Sequence, residues 1–307
     1  MARRSPSLHG SAALAGHFDA RADRSVARVG GPGEAPGMRL SLPAVGLAAL
    51  IALASPRARA LDPFEIQVYD GTANAPGAFG LELHLNHVAT GHASATSPEL
   101  PLLGQTHATL EPSYGLFPWW ELGAYLQTSL RADGRFDYAG VKLRSKFVTP
   151  PSLLLHLRFG LNLEVSYLPE IYDRDRWGAE LRPIAAWEGN GWLAVVNPIL
   201  DFSLAGPDAS AGPSFEPAAK IAHTFVEVFA LGAEYYGSLG PIASPLPLSA
   251  QSHELFGVID LEALPALELE LGLGGGFTPA SAGLVGKIIV GYTFDLRKAA
   301  PDKSLPR

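Results

Sequence analysis

The sequence predicts an all-β protein, a transmembrane antiparallel up-and-down β-barrel of about 12 strands. Three observations lead to this fold class. Apolar and polar residues alternate with a period of two in twelve segments, the connections alternate in length, and aromatic residues gather at segment ends. A period of two is typical of strands, and alternating loop lengths with aromatic ends are typical of outer-membrane barrels.

The composition agrees with a folded β protein. The 307 residues include 33 glycines and 26 prolines, a high share that disfavours a bundle of long helices. Charged residues make up only 17% and apolar residues 47%, which disfavours disorder. The net charge of -7 argues against nucleic acid as a partner, because such proteins normally carry a basic surface.

The front of the chain has the features of an export signal. Residues 41–54 form the only long apolar run, and 14 residues are too few for a spanning helix. Arg39 precedes this run, and Ala58-Arg59-Ala60 follows it with small residues at the two positions that a signal peptidase reads. We predict a signal peptide over 38–60, cleaved after Ala60, with a mis-started or extended region at 1–37 before it.

Cysteine is absent from the chain, which limits how an exported protein can be stabilised. Disulfide bonds, thiolate metal sites and a lipoprotein anchor are therefore excluded. The exported chain must depend on burial or on embedding in a membrane, and we expect it in the cell outer membrane.

The alternation is clearest in residues 153–167. Every odd position there is leucine, phenylalanine, valine or tyrosine, whereas the even positions include His156, Arg158 and Glu164. Most of the twelve segments reach ten residues, which is enough for a tilted strand to cross the ~25 Å apolar band of an outer membrane. We predict strands at about 79–89, 105–114, 120–130, 136–147, 153–167, 177–188, 192–204, 215–224, 228–237, 251–262, 266–276 and 283–295.

The connections between these segments are alternately short and long. We predict short turns at 115–118, 149–151, 189–191, 225–226 and 263–265, and loops at 92–104, 131–135, 168–176, 205–214, 238–250 and 277–282. Outer-membrane barrels have short periplasmic turns, longer external loops and an even number of strands. The barrel is therefore predicted over 78–296, with a periplasmic tail at 297–307.

Aromatic residues at the strand ends predict the membrane boundaries, because their amphipathic rings favour the membrane–water interface. Outer-membrane lipids are thus an expected partner, and so is the barrel-assembly machinery, which usually reads a terminal aromatic residue such as Phe294. The predicted girdle comprises Trp119, Trp120, Phe147, Tyr167, Trp177, Trp187, Trp192, Tyr292 and Phe294.

A soluble β-sandwich or lipocalin-like barrel also alternates, with its apolar face turned inward. Such a fold would have to pack some twelve Leu- and Phe-rich rows into its interior, more than one small barrel can hold. The transmembrane alternative is therefore the better prediction.

If the leucine rows face lipid, the charged residues line the lumen. Cations concentrate in segments four to six and anions in segments ten and eleven, so a basic wall would oppose an acidic wall. Two interpretations stay open: a constriction that filters charged solutes, or ion pairs that close the lumen. Glu164, Glu180 and Glu188 would neutralise part of the basic wall. The predicted pore-lining residues are Glu82, His84, Lys142, Arg144, Lys146, His156, Arg158, Arg182, Glu254, Asp260, Glu268 and Glu270.

The lead segment, residues 61–77, is strand-like between Glu65 and Asp70 but is bracketed by Pro63, Gly71 and Pro76. It either enters the lumen as a small plug or lies in the periplasm as an extended arm. The sequence favours the arm.

A search for chemistry predicts no catalytic residue, metal site or cofactor. His84, His107 and His156 face the lumen near Glu82 or Glu111, but histidines in a polar lumen are more often simply solvated. Outer-membrane phospholipases use a Ser–His pair on the lipid-facing surface. The outward histidines His87, His223 and His253 have no serine at a recognisable spacing, and the Asp173-x-Asp175 pair lacks the rest of a calcium loop.

The signal peptide, the twelve long strands and the segment Ala230-Leu231-Gly232-Ala233-Glu234-Tyr235-Tyr236-Gly237 together resemble Gram-negative outer-membrane channels, most closely the phenol-degradation (MetA) pathway-type transporter family. The resemblance implies passive passage of small solutes, aromatic or hydrophobic compounds among them. An outer-membrane lipid-acting enzyme and a closed structural or adhesive barrel remain as alternatives.

Overall fold

The computed structural model describes residues 62–92, 95, 97–150, 153–264 and 266–296. The predicted region 1–37, the signal peptide with its cleavage site and the tail 297–307 lie outside them. Within the described residues, no helix is long and apolar enough to cross a membrane, and a 3-10 turn at Leu248–Ala250 is the only helical element.

Twelve strands form the molecule, each ten to fourteen residues long. Their length follows from the unbroken two-residue period of the sequence. They are β1 (Ala78–Thr90), β2 (Thr106–Phe117), β3 (Trp120–Leu130), β4 (Phe136–Val148), β5 (Leu157–Tyr167), β6 (Trp177–Gly189), β7 (Trp192–Ala205), β8 (Ser214–Val226), β9 (Phe229–Ser238), β10 (Ser252–Leu264), β11 (Leu267–Gly276) and β12 (Leu284–Asp295).

These strands form one closed antiparallel barrel, which confirms the predicted fold class. Each strand pairs with its chain neighbours, and β1 pairs with β12 from Ala78 opposite Asp295 to Thr90 opposite Leu284. Consecutive strands run in opposite directions, so the connections alternate between two ends. We call these the short-turn end, where both β1 begins and β12 ends, and the long-loop end.

The β6–β7 turn shows how local sequence makes a short connection. Gly189 pairs with Trp192, which leaves only Asn190 and Gly191 to reverse the chain. Both adopt positive φ, 52° and 78°, as a two-residue hairpin turn requires. Asn and Gly are the residues that adopt this conformation at the lowest cost, so the dipeptide fixes the register of this hairpin.

The fifth strand begins later than predicted, at Leu157 instead of 153. Its pairing with β4 ends where Val148 lies opposite Gly160, and its pairing with β6 begins at Leu157. Leu153 and Leu155 continue the alternating pattern but have no strand to pair with, and Leu155 is 90% exposed. Apolar alternation alone therefore extends a predicted strand beyond the residues that can form a ladder.

The apolar rows face outward and the polar rows face inward, the reverse of a soluble barrel. Leu83 on β1, Leu126 on β3 and Leu143 on β4 are exposed on the outer surface. In contrast, the inward-facing Gln127 and Asn162 are fully buried. A surface of leucine, valine and phenylalanine around the whole ring is stable against acyl chains and unstable against water. The distribution of side chains thus identifies a transmembrane barrel.

This orientation can be tested on the fourth strand. Leu143 lies near the middle of β4 and is 68% exposed. We expect Leu143→Arg to lower the free energy of unfolding in lipid vesicles, followed by urea titration, by about 2–4 kcal/mol, because the charge meets the bilayer midplane. The matched control is Leu155→Arg, which places the same charge in an exposed turn; equal losses in both variants would contradict a lipid-facing β4.

The predicted girdle residues lie at strand ends, in two groups. At the short-turn end, Trp119 and Trp120 stack on Phe147 with ring planes within 19° of parallel, and Phe117 joins them. Trp187, Trp192, Tyr292 and Phe294 also lie at this end, and Tyr167 and Trp177 pack together at the long-loop end, with centroids 5.0 Å apart. Two aromatic bands at opposite ends match the two faces of a bilayer.

Candidate functional site: the barrel lumen

The lumen is lined by charged side chains of both signs. Inward-facing strand positions carry seven cations, Lys142, Arg144, Lys146, Arg158, Arg182, Lys220 and Lys287. They also carry at least thirteen carboxylates, Glu82, Glu111, Glu121, Glu164, Glu180, Glu188, Asp201, Glu216, Glu234, Glu254, Asp260, Glu268 and Glu270. The wall therefore has a surplus of negative charge.

The predicted pore-lining residues differ in how far their side chains are buried. Buried on the inner wall are His84, Lys142, Arg144, Arg182, Glu254 and Glu270. Glu82, Lys146, Arg158 and Asp260 face inward and are half-buried, and Glu268 is exposed at the short-turn end. His156 lies in the turn before β5, because the strand begins one residue later, and its Nδ1 donates to the Glu188 carbonyl oxygen at 2.8 Å.

The cations of β4 are paired with carboxylates on their own side of the barrel. Arg144 Nη2 lies 2.8 Å from Glu111 and 2.7 Å from Glu121, on β2 and β3. Lys146 Nζ lies 2.9 Å from the same Glu121 oxygen, and Lys142 Nζ lies 3.6 Å from Glu164 on β5. The predicted basic wall is therefore not of one sign.

Two lysines that the sequence analysis missed pair with carboxylates of the predicted acidic wall. Lys220 of β8 lies 3.0 Å from Asp260 and 2.6 Å from Glu270, and Lys287 of β12 lies 2.5 Å from Glu270 and also contacts Glu234. Both lysines occupy the inward parity of their strands, which the two-residue period alone would have revealed.

The lead segment, described from residue 62, lies against inward-facing side chains of the wall. Asn197 of β7 accepts from the Tyr69 backbone N–H at 2.8 Å and donates to the Tyr69 carbonyl at 2.9 Å. Arg182 donates to the Gln67 carbonyl at 3.3 Å, and Lys287 donates to the Ile66 carbonyl at 3.0 Å. These contacts come from β6, β7 and β12, so the segment lies between distant parts of the ring.

Side chains of the segment add ion pairs and ring contacts. Lys142 Nζ lies 2.6 Å from Asp62 and 3.1 Å from Glu65, and the Tyr69 and Tyr125 hydroxyls contact each other. Arg158 donates to the Asp70 carbonyl oxygen at 2.9 Å. The seat of the segment therefore combines hydrogen bonds and charges with apolar packing, because Ile66 and Val68 also lie in a buried cluster with wall residues such as Val195.

The segment runs along the barrel axis from one end to the other. Near its junction with β1, Asn74 contacts Glu121 and Thr293, which lie at the short-turn end. At its beginning, the Phe64 ring packs edge-on against His107 and against Tyr172 of the loop 168–176, at the long-loop end. The chain thus passes through the length of the lumen.

Consecutive residues of the segment are all buried, at odd and even positions alike. Phe64, Glu65 and Ile66 are exposed by only 2%, 4% and 1%. The wall side chains around them, such as Asn162 and Lys287, are equally inaccessible. With the segment in place, the middle of the lumen is filled.

One cluster in the lumen has a donor set that suits a metal ion. His84 Nε2 lies 3.2 Å from Glu111 and 3.6 Å from Glu82, and the three ligand atoms are within 4.8 Å of one another. Arg144 also holds Glu111, so the cluster already forms part of an ion-paired network. His107 packs on Phe64 instead of joining it.

The rings of the outward histidines contact groups other than serine, and the Ser281 hydroxyl binds the backbone of His253 and not its ring. His87 Nδ1 lies 2.9 Å from the Thr106 hydroxyl, His223 Nδ1 contacts the Gly191 carbonyl, and His253 lies between Tyr235 and Gln251. A phospholipase-like Ser–His pair is therefore not formed by these three described residues.

Solved structures of outer-membrane proteins share this barrel. The COG4313 outer membrane channel from Pseudomonas putida F1 aligns with a TM-score of 0.52 and 12% identity, covering 75% of this chain and 100% of that one. The KdgM porin in complex with disordered oligogalacturonate and the NanC porin align at TM-scores of 0.44 and 0.48 with 8% identity, over 70% of this chain and 99% and 98% of theirs. No protein-family model and no curated protein matches the sequence. At such identities the likeness concerns the fold alone.

Proposed function

We propose that the protein is an outer-membrane channel for passive passage of small solutes, and that the lead segment holds it closed. The observation that carries this proposal is the combination of an apolar outer surface with a charged lumen that is crossed by a separate, non-covalently seated segment. A barrel of this design is stable in an outer membrane, and its interior offers a polar path when the segment moves.

The ring of paired strands is complete without the segment. All twelve strand pairings, including β1 with β12, form without residues 62–77. Among the described residues the segment is joined covalently to the wall at Ala78 and is otherwise held by non-covalent contacts, namely hydrogen bonds, ion pairs and the apolar packing of Phe64, Ile66 and Val68. Its displacement therefore opens the lumen while the wall remains intact.

We also propose the chemical class of the solutes that pass through the channel. The resemblance to phenol-degradation (MetA) pathway-type transporters supports small aromatic or hydrophobic compounds. Outer-membrane lipids would contact the girdle, and the assembly machinery would read Phe294. The proposal treats the protein as a non-enzyme.

A closed structural or adhesive barrel is the second candidate, favoured by the complete burial of wall residues such as Asn162. The two candidates differ in whether the segment can leave. In the structural barrel its contacts are permanent, and no variant of the seat produces conductance.

The variant Asn197→Leu distinguishes the channel from the closed structural barrel. The substitution keeps the size of the side chain but removes both hydrogen bonds to the Tyr69 backbone, which is buried. Leaving these groups without partners costs about 2 kcal/mol, a factor of about thirty in the closed-to-open ratio. We expect a matching rise in open probability of the processed protein in planar bilayers.

The control is Asn162→Leu, which changes an equally buried wall asparagine whose amide bonds Glu164 and not the segment. We expect its open probability to equal that of the native chain. If neither variant ever conducts while both remain folded barrels by heat-shifted electrophoresis, the channel proposal is wrong.

A further inference from the structure

We propose that the open lumen conducts cations in preference to anions. This inference rests on the proposed channel function and adds the ion selectivity of the open lumen. It replaces the opposed basic and acidic walls expected from the sequence with a lumen of one net sign.

The cations of the wall are already paired with carboxylates. Each of the seven inward-facing lysines and arginines lies within 4.0 Å of a carboxylate. The converse does not hold, because in the described part of the chain neither Glu254 nor Glu268 forms an ion pair. Glu254 is buried and accepts hydrogen bonds from Ser252 and the Ala282 backbone, whereas Glu268 is exposed, so the unpaired carboxylate that solutes can reach is Glu268.

In the open state the segment leaves the lumen together with its acidic residues Asp62, Glu65 and Asp70. The cations that these residues contact keep wall partners. Lys142 retains Glu164 at 3.6 Å, Arg182 retains Glu180 at 2.6 Å, and Arg158 retains Glu188 at 2.5 Å. Opening thus exposes no unpaired cation that would attract anions.

Part of the surplus of carboxyl groups lies at the short-turn end of the lumen. Glu82 of β1 and Glu268 of β11 both pair with Gly291 of β12. A Cβ at Gly291 would lie 3.1 Å from Glu82 Cγ and 3.8 Å from a Glu268 carboxylate oxygen, so no side chain separates the two. The two carboxyl groups have only a glycine between them, so acidic side chains are concentrated at this mouth of the lumen.

Rings of carboxylates select cations because a narrow pore with low-dielectric walls concentrates counter-ions and repels co-ions. The accessible surplus here lies around Glu268 and Glu82 at the short-turn end, so we expect anions to be repelled at this entrance.

The test measures the reversal potential of the full processed chain carrying Asn197→Leu in planar bilayers under a potassium chloride gradient. We expect potassium to be about tenfold more permeant than chloride. Adding Glu82→Gln and Glu268→Gln is expected to lower this ratio severalfold. Adding Asp133→Asn and Glu170→Gln, which remove the same charge from exposed loops, is the matched control and is expected to leave it unchanged.

A ratio of one or below, or an equal drop in the lumen and loop variants, would overturn the selectivity while leaving the channel itself standing. A complete lack of conductance in every variant overturns the channel, and the selectivity with it. The two failures are distinguishable because only the first produces a measurable current.

Discussion

Replacing Glu65 by leucine is expected to release the lead segment and hold the lumen open. The Glu65 carboxylate is buried, lies 3.1 Å from Lys142 Nζ and 3.6 Å from Arg182 Nη1, and accepts the Tyr69 hydroxyl at 2.7 Å. Removing one partner from a buried ionic cluster costs about 3–5 kcal/mol, because the remaining charges lose a counter-ion. This is at least a hundredfold change in the closed-to-open ratio, measurable as open probability in single-channel recordings.

The matched control for this prediction is Glu180→Leu. Glu180 pairs with the same Arg182 at 2.6 Å but belongs to the wall, so its removal leaves the Glu65 contacts in place. We expect the Glu180 variant to lose barrel stability without gaining conductance. If both variants open to the same extent, the segment is not the closing element.

The barrel was predictable because each of its constraints is local in sequence. A strand with lipid on one face and a polar lumen on the other must alternate, and its ladder needs turns such as Asn190-Gly191 at fixed intervals. The start of β5 was misplaced for the complementary reason. Whether Leu153 belongs to a strand depends on a partner strand far away in the chain, which the pattern does not contain.

The position of the lead segment was not predictable from the pattern. Pattern analysis detects elements with one buried face, but inside a tube every direction meets a wall. Phe64, Glu65 and Ile66 are consecutive and all buried, so the segment has no period that distinguishes a lumen from a periplasmic arm. Its position is defined by contacts with residues far away in the chain, such as Asn197 and Lys287.

The charge pairs of the lumen were partly accessible to sequence reasoning. Clusters of like charge led to Lys142 and Glu270, whereas Lys220 and Lys287 are isolated in the sequence and were passed over. Parity places both on the inner wall, but their carboxylate partners depend on the register of three neighbouring strands. Electrostatic sign along a pore therefore requires counting every inward position, including the isolated ones.

A reversible disulfide is expected to restore closure to the opened Glu65→Leu channel. The chain has no cysteine, so a pair introduced as Gly71→Cys and Arg158→Cys can form only one bond. A Cβ at Gly71 lies 3.1 Å from the Arg158 Cβ, within a few tenths of an ångström of the ~3.5–4.5 Å found in disulfides. The positive φ of 82° at Gly71 adds a strain of about 1–2 kcal/mol, which the covalent bond outweighs.

The oxidised variant keeps the chain between residue 71 and Ala78 across the mouth of the lumen and holds Tyr69 within reach of Asn197. We therefore expect a low open probability that rises when a reductant is added to the bath. Variants with only one of the two cysteines control for the loss of Arg158 and for the strain at residue 71, and they should conduct equally with and without reductant. Equal conductance of the oxidised and reduced double variant would mean that ions bypass the segment, and closure would then have to be assigned to the wall itself.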